Sequence, residues 1–252
     1  MVERFLVFIF FTLSGLTACL QVESTSYTFF SPRYSIQTPQ ADMATRFGVN
    51  SSLGLTFGVK KETDFYLGGN ANFLFGNNVK EPSLLKNLLG FSGISVNGDS
   101  VFEIIGQENR PAVVLIQQRG FNFSGDFGKL FRFKNSDHES GVLVTMGLGF
   151  LQHKIRLETQ LDEVPQLEGE YIKGYDRLTN GVMLSQNVGW MFLNTRRGGS
   201  FYAGIEVIEG FTQSRRSYNF DTKISELGMT RLDILTGIKV AWIVPFYRRN
   251  LQ

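Results

Sequence analysis

The feature that most constrains this chain is an alternation of apolar and polar residues that recurs from residue 46 almost to the last residue. Successive side chains of a β-strand point to opposite faces, so the alternation predicts strands with one apolar and one polar face. Seven segments show the pattern: residues 46–59, 65–75, 121–133, 142–150, 182–192, 201–211 and 232–246.

The composition of the polar faces indicates which side is inside. They consist mostly of Gly, Asn, Ser and Thr and carry few charges, whereas the apolar faces hold much of the chain's 24 Phe. A water-facing surface is usually rich in Lys and Glu, and small polar residues suit the interior of a narrow barrel. This pattern favours aromatic residues facing lipid and a polar interior. A soluble barrel with its apolar face inward is the alternative.

We therefore predict an all-β fold, an antiparallel up-and-down transmembrane β-barrel of about eight strands, with a short helix in one outer loop. Bacterial barrels normally have an even strand count. The eighth strand is expected near Ser26–Ile36, with its outer turn within Ser31–Met43. The helix is expected at Glu81–Gly90, where Pro82 precedes four leucines, as a cap over the barrel mouth or a partner surface.

The connections between predicted strands fall into two classes of length. Outer-membrane barrels have short periplasmic turns and long outer loops. The pattern predicts the outer membrane of a Gram-negative cell, with the C-terminus in the periplasm, and leaves open whether the N-terminus lies in the periplasm or at the cell surface. The short connections are Lys60–Asp64, Asn135–Ser140 and Thr195–Gly199, and the long ones are Asn77–Arg110, Glu158–Asp176 and Thr212–Gly228.

The N-terminal segment predicts export. A short apolar run after Arg4 suits the core of a secretory signal and is too short for a membrane-spanning helix. It ends in Leu-Thr-Ala before Cys19, a pattern that predicts lipidation of this cysteine, with ordinary cleavage after Ala18 as the alternative. The expected division is a signal peptide at 1–18, a lipidated segment with a possible first strand at 19–43, and the barrel at 44–252.

Strand parity assigns side chains to the two faces of the barrel wall. The interior of an eight-stranded barrel is wide enough only for side chains, so mixed charges there predict a paired, hydrogen-bonded plug rather than a conduction path. The expected plug residues are Arg46, Asp126, Arg132, Glu206, Asp233 and Lys239. The residues expected to face lipid include Phe123, Leu148, Trp190 and Trp242.

The sequence contains no motif for catalysis, a cofactor, a metal or nucleic acid, so none of these is expected. His138 is expected in a solvated turn. His153 is placed at the outer end of a strand with its side chain toward the lumen, a location similar to that of the histidine in membrane-embedded acyltransferases and lipases. No spacing identifies a nucleophile or an orienting carboxylate for His153.

Four segments, residues 147–155, 174–181, 201–206 and 242–249, resemble a family of mostly uncharacterised outer-membrane barrel proteins of Bacteroidota. The small barrel subunit of the type IX secretion system is similar in size and architecture. The resemblance implies an outer-membrane barrel. The last three residues, Asn250, Leu251 and Gln252, depart from the aromatic residue on which many such barrels end.

The expected function is that of a non-enzymatic outer-membrane barrel, a lipoprotein, that contacts outer-membrane lipid. It would serve as a membrane anchor or accessory subunit of a larger envelope complex, such as a secretion or outer-membrane assembly machine. A lipid-modifying enzyme of the outer leaflet centred on His153 is one alternative. A narrow porin is the other.

Overall fold

The structure, a computed structural model, describes residues 26–81, 84–88, 92–96, 99–132, 140–193 and 199–247. Its strands are β1 (Tyr27–Ala41), β2 (Asn50–Lys60), β3 (Phe65–Gly76), β4 (Ser92–Val96), β5 (Asp99–Ile105), β6 (Pro111–Arg132), β7 (Gly141–Gln160), β8 (Thr179–Phe192), β9 (Ser200–Ser214) and β10 (Thr230–Tyr247). Three short 3-10 helices cover Asp42–Thr45, Pro165–Leu167 and Tyr171–Gly174. None of the described helices is long and apolar enough to cross a membrane.

Eight of the strands form a closed antiparallel barrel. Each pairs with its neighbour along the chain, β3 pairs with β6, and β10 closes the ring on β1. The ladder is staggered by ten residues. Starting from Gln37, the paired residues once round the ring are Gly237, Glu206, Asn187, Thr145, Gly128, Tyr66, Lys60 and finally Tyr27. Such a stagger tilts the strands by roughly 40° and leaves a narrow interior.

The predicted barrel fold is confirmed, and the two kinds of connection lie at opposite ends of the barrel. We call the end with residues 61–64, Arg132, Ser140, Leu193 and Gly199 the turn end, and the opposite end the loop end. Large apolar side chains are exposed on the outside of all eight strands, among them Phe57, Leu67, Phe127 and Ile238. Because this continuous apolar belt surrounds a polar interior, the barrel is of the transmembrane kind.

The first strand lies where the sequence predicts an eighth strand, but it is longer. It continues to Ala41, so its turn at the loop end falls at residues 42–49 rather than within Ser31–Met43. The barrel in the described part of the chain accordingly begins at Tyr27, ahead of the expected boundary at residue 44.

Phe47 and Val49 do not belong to a strand, contrary to the prediction for residues 46–59. The strand β2 begins only at Asn50, and Phe47 is completely buried in the barrel mouth instead of facing outward. An isolated bridge between Phe47 and Val79 and a 2.8 Å hydrogen bond from Gly48 N to Asn78 O hold this turn against the following loop. The apolar and polar residues of the sequence continue to alternate through residues 46–49, but these residues form a turn that packs against the following loop.

The helix expected at Glu81–Gly90 is not formed in the described residues 84–88, which make turns, with Leu85 at a φ of 62°. Residues 82–83 and 89–90 lie outside the described residues. Leu84 and Leu85 are 3% and 0% exposed, so they cover the mouth of the barrel as a cap. The same long connection also contains the hairpin β4–β5, whose second strand extends the sheet by pairing with Pro111–Leu115 of β6.

Candidate functional site

Two apolar clusters, one near each end of the barrel, fill much of the lumen. Polar side chains occupy the space between them and part of the space near the loop end. The cluster at the turn end closes the floor, and its buried members are Tyr27, Phe29, Tyr66, Leu130, Leu143, Met191, Leu193, Tyr202 and Ile243. The cluster at the loop end combines wall residues such as Leu74, Leu151, Met183 and Ile208 with cap residues such as Met43, Phe47, Leu84, Leu85, Val164, Leu167 and Tyr175. Cap residues from three different loops therefore seal the mouth.

A central polar layer lies between these clusters. Arg33 donates to Asn72 Oδ1 at 2.5 Å and to Asn70 Oδ1 at 2.9 Å. Both asparagines, on β3, extend this network to β6. Asn72 donates a hydrogen bond to Asn122 Oδ1 at 2.6 Å, and Asn70 donates one to Ser124 Oγ at 3.1 Å. Because a buried polar group without a partner is costly, this chain of bonds is what makes the polar interior tolerable.

The charges of the central layer are partnered by polar groups as well as by each other. Asp126 accepts from Ser124 at 2.7 Å and from Ser185 at 3.3 Å. Lys239 Nζ is 3.7 Å from Glu206 Oε2 and also donates to Asn187. Glu206 accepts a further bond from Gln37 at 2.7 Å. Each of these three charged groups therefore has hydrogen-bond partners inside the lumen.

The free space in this layer is small. A cavity of about 40 Å³ lies among Arg33, Asp126, Lys239, Tyr66 and Tyr202. A single water needs roughly 10–15 Å³ on this measure, so the cavity suits a few waters at most. It is too small for a solute and does not form an open bore.

A second polar group, the His153 cluster, lies nearer the loop end and consists of Arg46, His153, Thr179, Thr212 and Asp233. His153 Nε2 is 2.8 Å from Asp233 Oδ2, which also accepts from Thr212 at 2.6 Å. Arg46 donates to Asp233 Oδ1 at 3.0 Å and to Thr179 at 3.4 Å. The Phe47 ring packs edge-on against the imidazole at a centroid distance of 5.6 Å.

The spacing of residues in the sequence identified no carboxylate partner for His153, and the structure shows that this partner is Asp233. The geometry does not supply access, because His153 and Asp233 are both 0% exposed beneath the cap. The hydroxyls of the cluster, on Thr179 and Thr212, are bonded to Arg177 O and to Asp233. The cluster offsets the charge of the buried Asp233 carboxylate. Its hydrogen bonds also connect β7, β9 and β10 to the turn after β1.

The remaining predicted site residues divide between the two faces. Arg46, Asp126, Glu206, Asp233 and Lys239 point inward and are buried. Arg132 lies at the turn end, where its Nε donates to Asp64 Oδ2 at 2.8 Å, away from the other five. Phe123, Leu148, Trp190 and Trp242 point outward, with Leu148 and Trp242 62% and 60% exposed. Cys19 and His138 lie outside the described residues.

The cap is held by charged contacts between loops that the sequence did not reveal. Arg177 Nη2 is 2.5 Å from Asp221 Oδ2, Arg216 forms a two-bond pair with Asp176, and Asn87 donates to the carbonyls of residues 220 and 221. Burial raises the pKa of the Asp221 carboxyl, although the Arg177 guanidinium beside it acts in the opposite direction. Hydrogen bonds to Asp176 raise the pKa of Arg216.

Sequence reasoning also missed Arg33, Asn70 and Asn72, although all three have inward parity. The signal for Asn70 and Asn72 was present, because the alternation of β3 places both asparagines on the polar face, but the predicted plug comprised charged residues alone. Within the described part of the chain, no group of three or more His, Cys, Asp or Glu residues is placed to hold a metal.

No protein-family profile matches the sequence, and no curated protein matches it either. The fold is similar to that of the Ail protein, the attachment invasion locus protein of Yersinia pestis, with a TM-score of 0.39, 11% identity, and coverage of 88% of this chain and 99% of that chain. It is also similar to OprG of Pseudomonas aeruginosa (0.40, 11%, 90% and 98%) and to the N-terminal β-barrel domain of OprF from the same organism (0.34, 10%, 88% and 99%).

Proposed function

We propose that this chain is a non-enzymatic, non-conducting outer-membrane barrel that acts as a membrane anchor or accessory subunit of a larger envelope complex. The observation that carries the proposal is a polar strip on the outside of the wall. Glu209 and Thr236 face outward on β9 and β10, flanked by Gln186 on β8 and Thr38 on β1. Polar and ionisable groups on a lipid-facing surface are costly, and they indicate a surface that another protein covers.

The register shows that these four side chains are neighbours. Gln186 pairs with Val207, Val207 with Thr236, and Thr236 with Thr38, while Glu209 is the next outward residue after Val207. The wall on the other side of the barrel is mostly apolar at this level, with the outward residues Leu53, Leu55, Ala71, Phe73, Phe121 and Phe123, and Ser51 as a polar residue among them. The concentration of polar residues on β8, β9, β10 and β1 suits a partner seated on these strands.

Two observations support a role without catalysis or transport. The His153 imidazole is enclosed by Phe47 and the cap, so a lipid substrate has no route to it. Two apolar clusters and a polar layer fill much of the lumen, and the cavity in that layer is about 40 Å³, so no steady ion conductance is expected in planar bilayers. The sequence resemblance to Bacteroidota barrels favours a secretion or outer-membrane assembly machine as the complex.

The proposal is tested by photo-crosslinking in native cells. A photoreactive residue at Thr38 should yield one defined adduct that also co-purifies stoichiometrically in mild detergent, whereas the same residue at Ala71, on the other wall, should not. The double variant Glu209→Leu and Thr236→Val should reduce the adduct without reducing the amount of folded barrel. A solitary barrel with no adduct at Thr38 would overturn the accessory role.

We further propose that the loop end lies outside the cell and that the C-terminus is periplasmic. The long cap and the extended strands β6 and β7 at that end support this orientation. A protease site inserted after Gly169 should be cut on whole cells, and one after Gly199 should be protected. The reverse result would invert the orientation.

Lipidation of Cys19 is also part of the proposal, supported by the Leu-Thr-Ala-Cys pattern. A clickable fatty-acid analogue should label the wild type and not Cys19→Ser. An unlabelled wild type would show that the signal is an ordinary one.

A further inference from the structure

Four cations face outward at the loop end, on one side of the barrel and directly beyond the apolar belt. This rim cluster consists of Arg119 on β6, Lys154 and Arg156 on β7, and Arg215 just after β9. Next to them on the same outward faces, the Phe121, Phe123 and Phe150 rings lie against one another with centroids 5.3 to 6.3 Å apart. The four cations therefore lie directly on the loop-end side of the aromatic residues that border the apolar belt.

The members of the rim cluster are adjacent in the ladder. Arg119 is the register partner of Lys154, and Gln117 is the register partner of Arg156. Arg215 donates to Asn180 Oδ1 at 2.6 Å, and Asn180 is in turn the register partner of Gln152, the outward residue before Lys154. The four charges thus form one continuous patch over β6, β7, β8 and β9.

The patch retains an excess of positive charge. Like charges placed directly opposite each other on neighbouring strands are destabilising, as Arg119 and Lys154 are here. Glu158 is the one carboxylate at the outward positions of β6 and β7 in the described residues, and it pairs with Arg156 at 3.2 Å. On the other wall, the last outward strand residues before the loop end, Gln40, Ser51 and Phe75, are uncharged. An anion from outside the chain would offset the repulsion.

We propose that the rim cluster binds the phosphorylated headgroup of an outer-leaflet glycolipid. The inference rests on the orientation proposed above, which places the loop end in the outer leaflet. Headgroup phosphates lie at the border of the hydrocarbon region, the level at which these cations leave the wall. Arginine offers paired donors to phosphate oxygens, and charge-assisted bonds of this kind are the strong ones. The aromatic border below would contact the acyl chains.

The test uses the purified full chain in detergent micelles, without any partner protein, and measures lipid retention by native mass spectrometry. The probes are bisphosphorylated lipid A, the same lipid with its phosphates removed, and inorganic phosphate. The test variant is Lys154→Gln with Arg156→Gln. Arg119 is kept, because its guanidinium also bonds to Gln118 O at 2.8 Å and so supports the strand. Lys129→Gln is the control, an outward cation at the turn end that lies over the Phe65 ring.

The wild type should retain bisphosphorylated lipid A well above the dephosphorylated lipid. The double variant should bind it about 30-fold more weakly, and Lys129→Gln should bind it as the wild type does. Inorganic phosphate should not displace the lipid. Equal retention of both lipids, equal loss in the control variant, or displacement by inorganic phosphate would each overturn the proposal. Because no partner is present, these outcomes are independent of the crosslinking result at Thr38.

Discussion

The imidazole of His153 and the carboxylate of Asp233 lie 2.8 Å apart and connect β7 to β10 across the lumen, although β8 and β9 lie between these two strands in the wall. Asp233 also accepts from Arg46 and Thr212, so a single carboxylate holds together the wall and the turn after β1. Both side chains are completely buried. The contact therefore contributes to the packing of the mouth.

The two partners should differ in their effect on stability. Asp233→Asn should lower the free energy of unfolding by about 3–5 kcal/mol, because it leaves the buried Arg46 cation without its counter-charge. His153→Gln should cost only about 1–3 kcal/mol, since it removes one hydrogen-bonded group and leaves the Arg46–Asp233 pair intact. Urea unfolding in micelles, followed by Trp fluorescence, measures both. A larger loss for His153→Gln would contradict this account.

The seam between the first and last strands contains an interruption at Pro32. The register between β1 and β10 runs to Phe30 and Val244 and resumes at Arg33 and Ala241, with no pairs for the two residues between. Proline has no backbone N–H, so one ladder bond is lost in the middle of the wall. At Pro39 the register with Leu235 is uninterrupted.

Pro32→Ala should restore the missing donor and slow amide exchange in peptides covering residues 30–34 and 240–244. Global stability should change little, since the new hydrogen bond adds about 0.5–1.5 kcal/mol while loss of the proline ring costs about 0.4–1 kcal/mol. Hydrogen exchange with mass spectrometry measures the effect. Pro39→Ala is the matched control and should leave exchange at its own pairs unchanged. Unaltered exchange in Pro32→Ala would show that the interruption has another cause.

Leu148 tests the lipid-facing wall. It is 62% exposed in the middle of the belt, so Leu148→Arg should cost about 2–4 kcal/mol and reduce the folded fraction in membranes. Leu161→Arg is the control, at an 83% exposed position in a loop at the loop end, and should be nearly neutral. Heat-modifiable migration on gels reports the folded fraction. A harmless Leu148→Arg would show that this wall does not face lipid.

Gly147 tests the packing of the interior. From the sequence alone, serine adds a small polar group to a polar interior and should be mild. In the structure, a Cβ at Gly147 would lie 2.0 Å from Asp126 Oδ1 and 2.5 Å from Ser185 Oγ. Gly147→Ser should therefore displace a buried carboxylate and cost about 1–3 kcal/mol.

Gly125→Ser is the matched control, because nothing lies within 4 Å of its Cβ position on the outside of β6. Its free energy of unfolding, measured by the same urea titration in micelles, should stay within about 0.5 kcal/mol of the wild type. Equal losses for the two variants would show that the crowding at Gly147 is relieved without cost.

The alternation of residues was enough to predict most of the wall. Because successive side chains point to opposite faces, the outward positions of Phe123, Leu148, Trp190 and Trp242 are set by local sequence as soon as a segment is a strand. The length of the connections likewise separated the turn end from the loop end. The same alternation also predicts that Asp126, Glu206 and Lys239 point into the barrel, although it does not identify the side chains that bind them.

The sequence by itself determined the strands, their faces and the closed barrel, since these depend on a local period of two residues and on the absence of water in lipid. Only the tertiary structure decided that Phe47, Leu84 and Leu85 turn inward as a cap. It also decided that Asp233 serves both His153 and Arg46, and that Arg119 and Lys154 are adjacent. These relationships join residues up to 187 positions apart, and they depend on the stagger of the ladder, which no local pattern encodes.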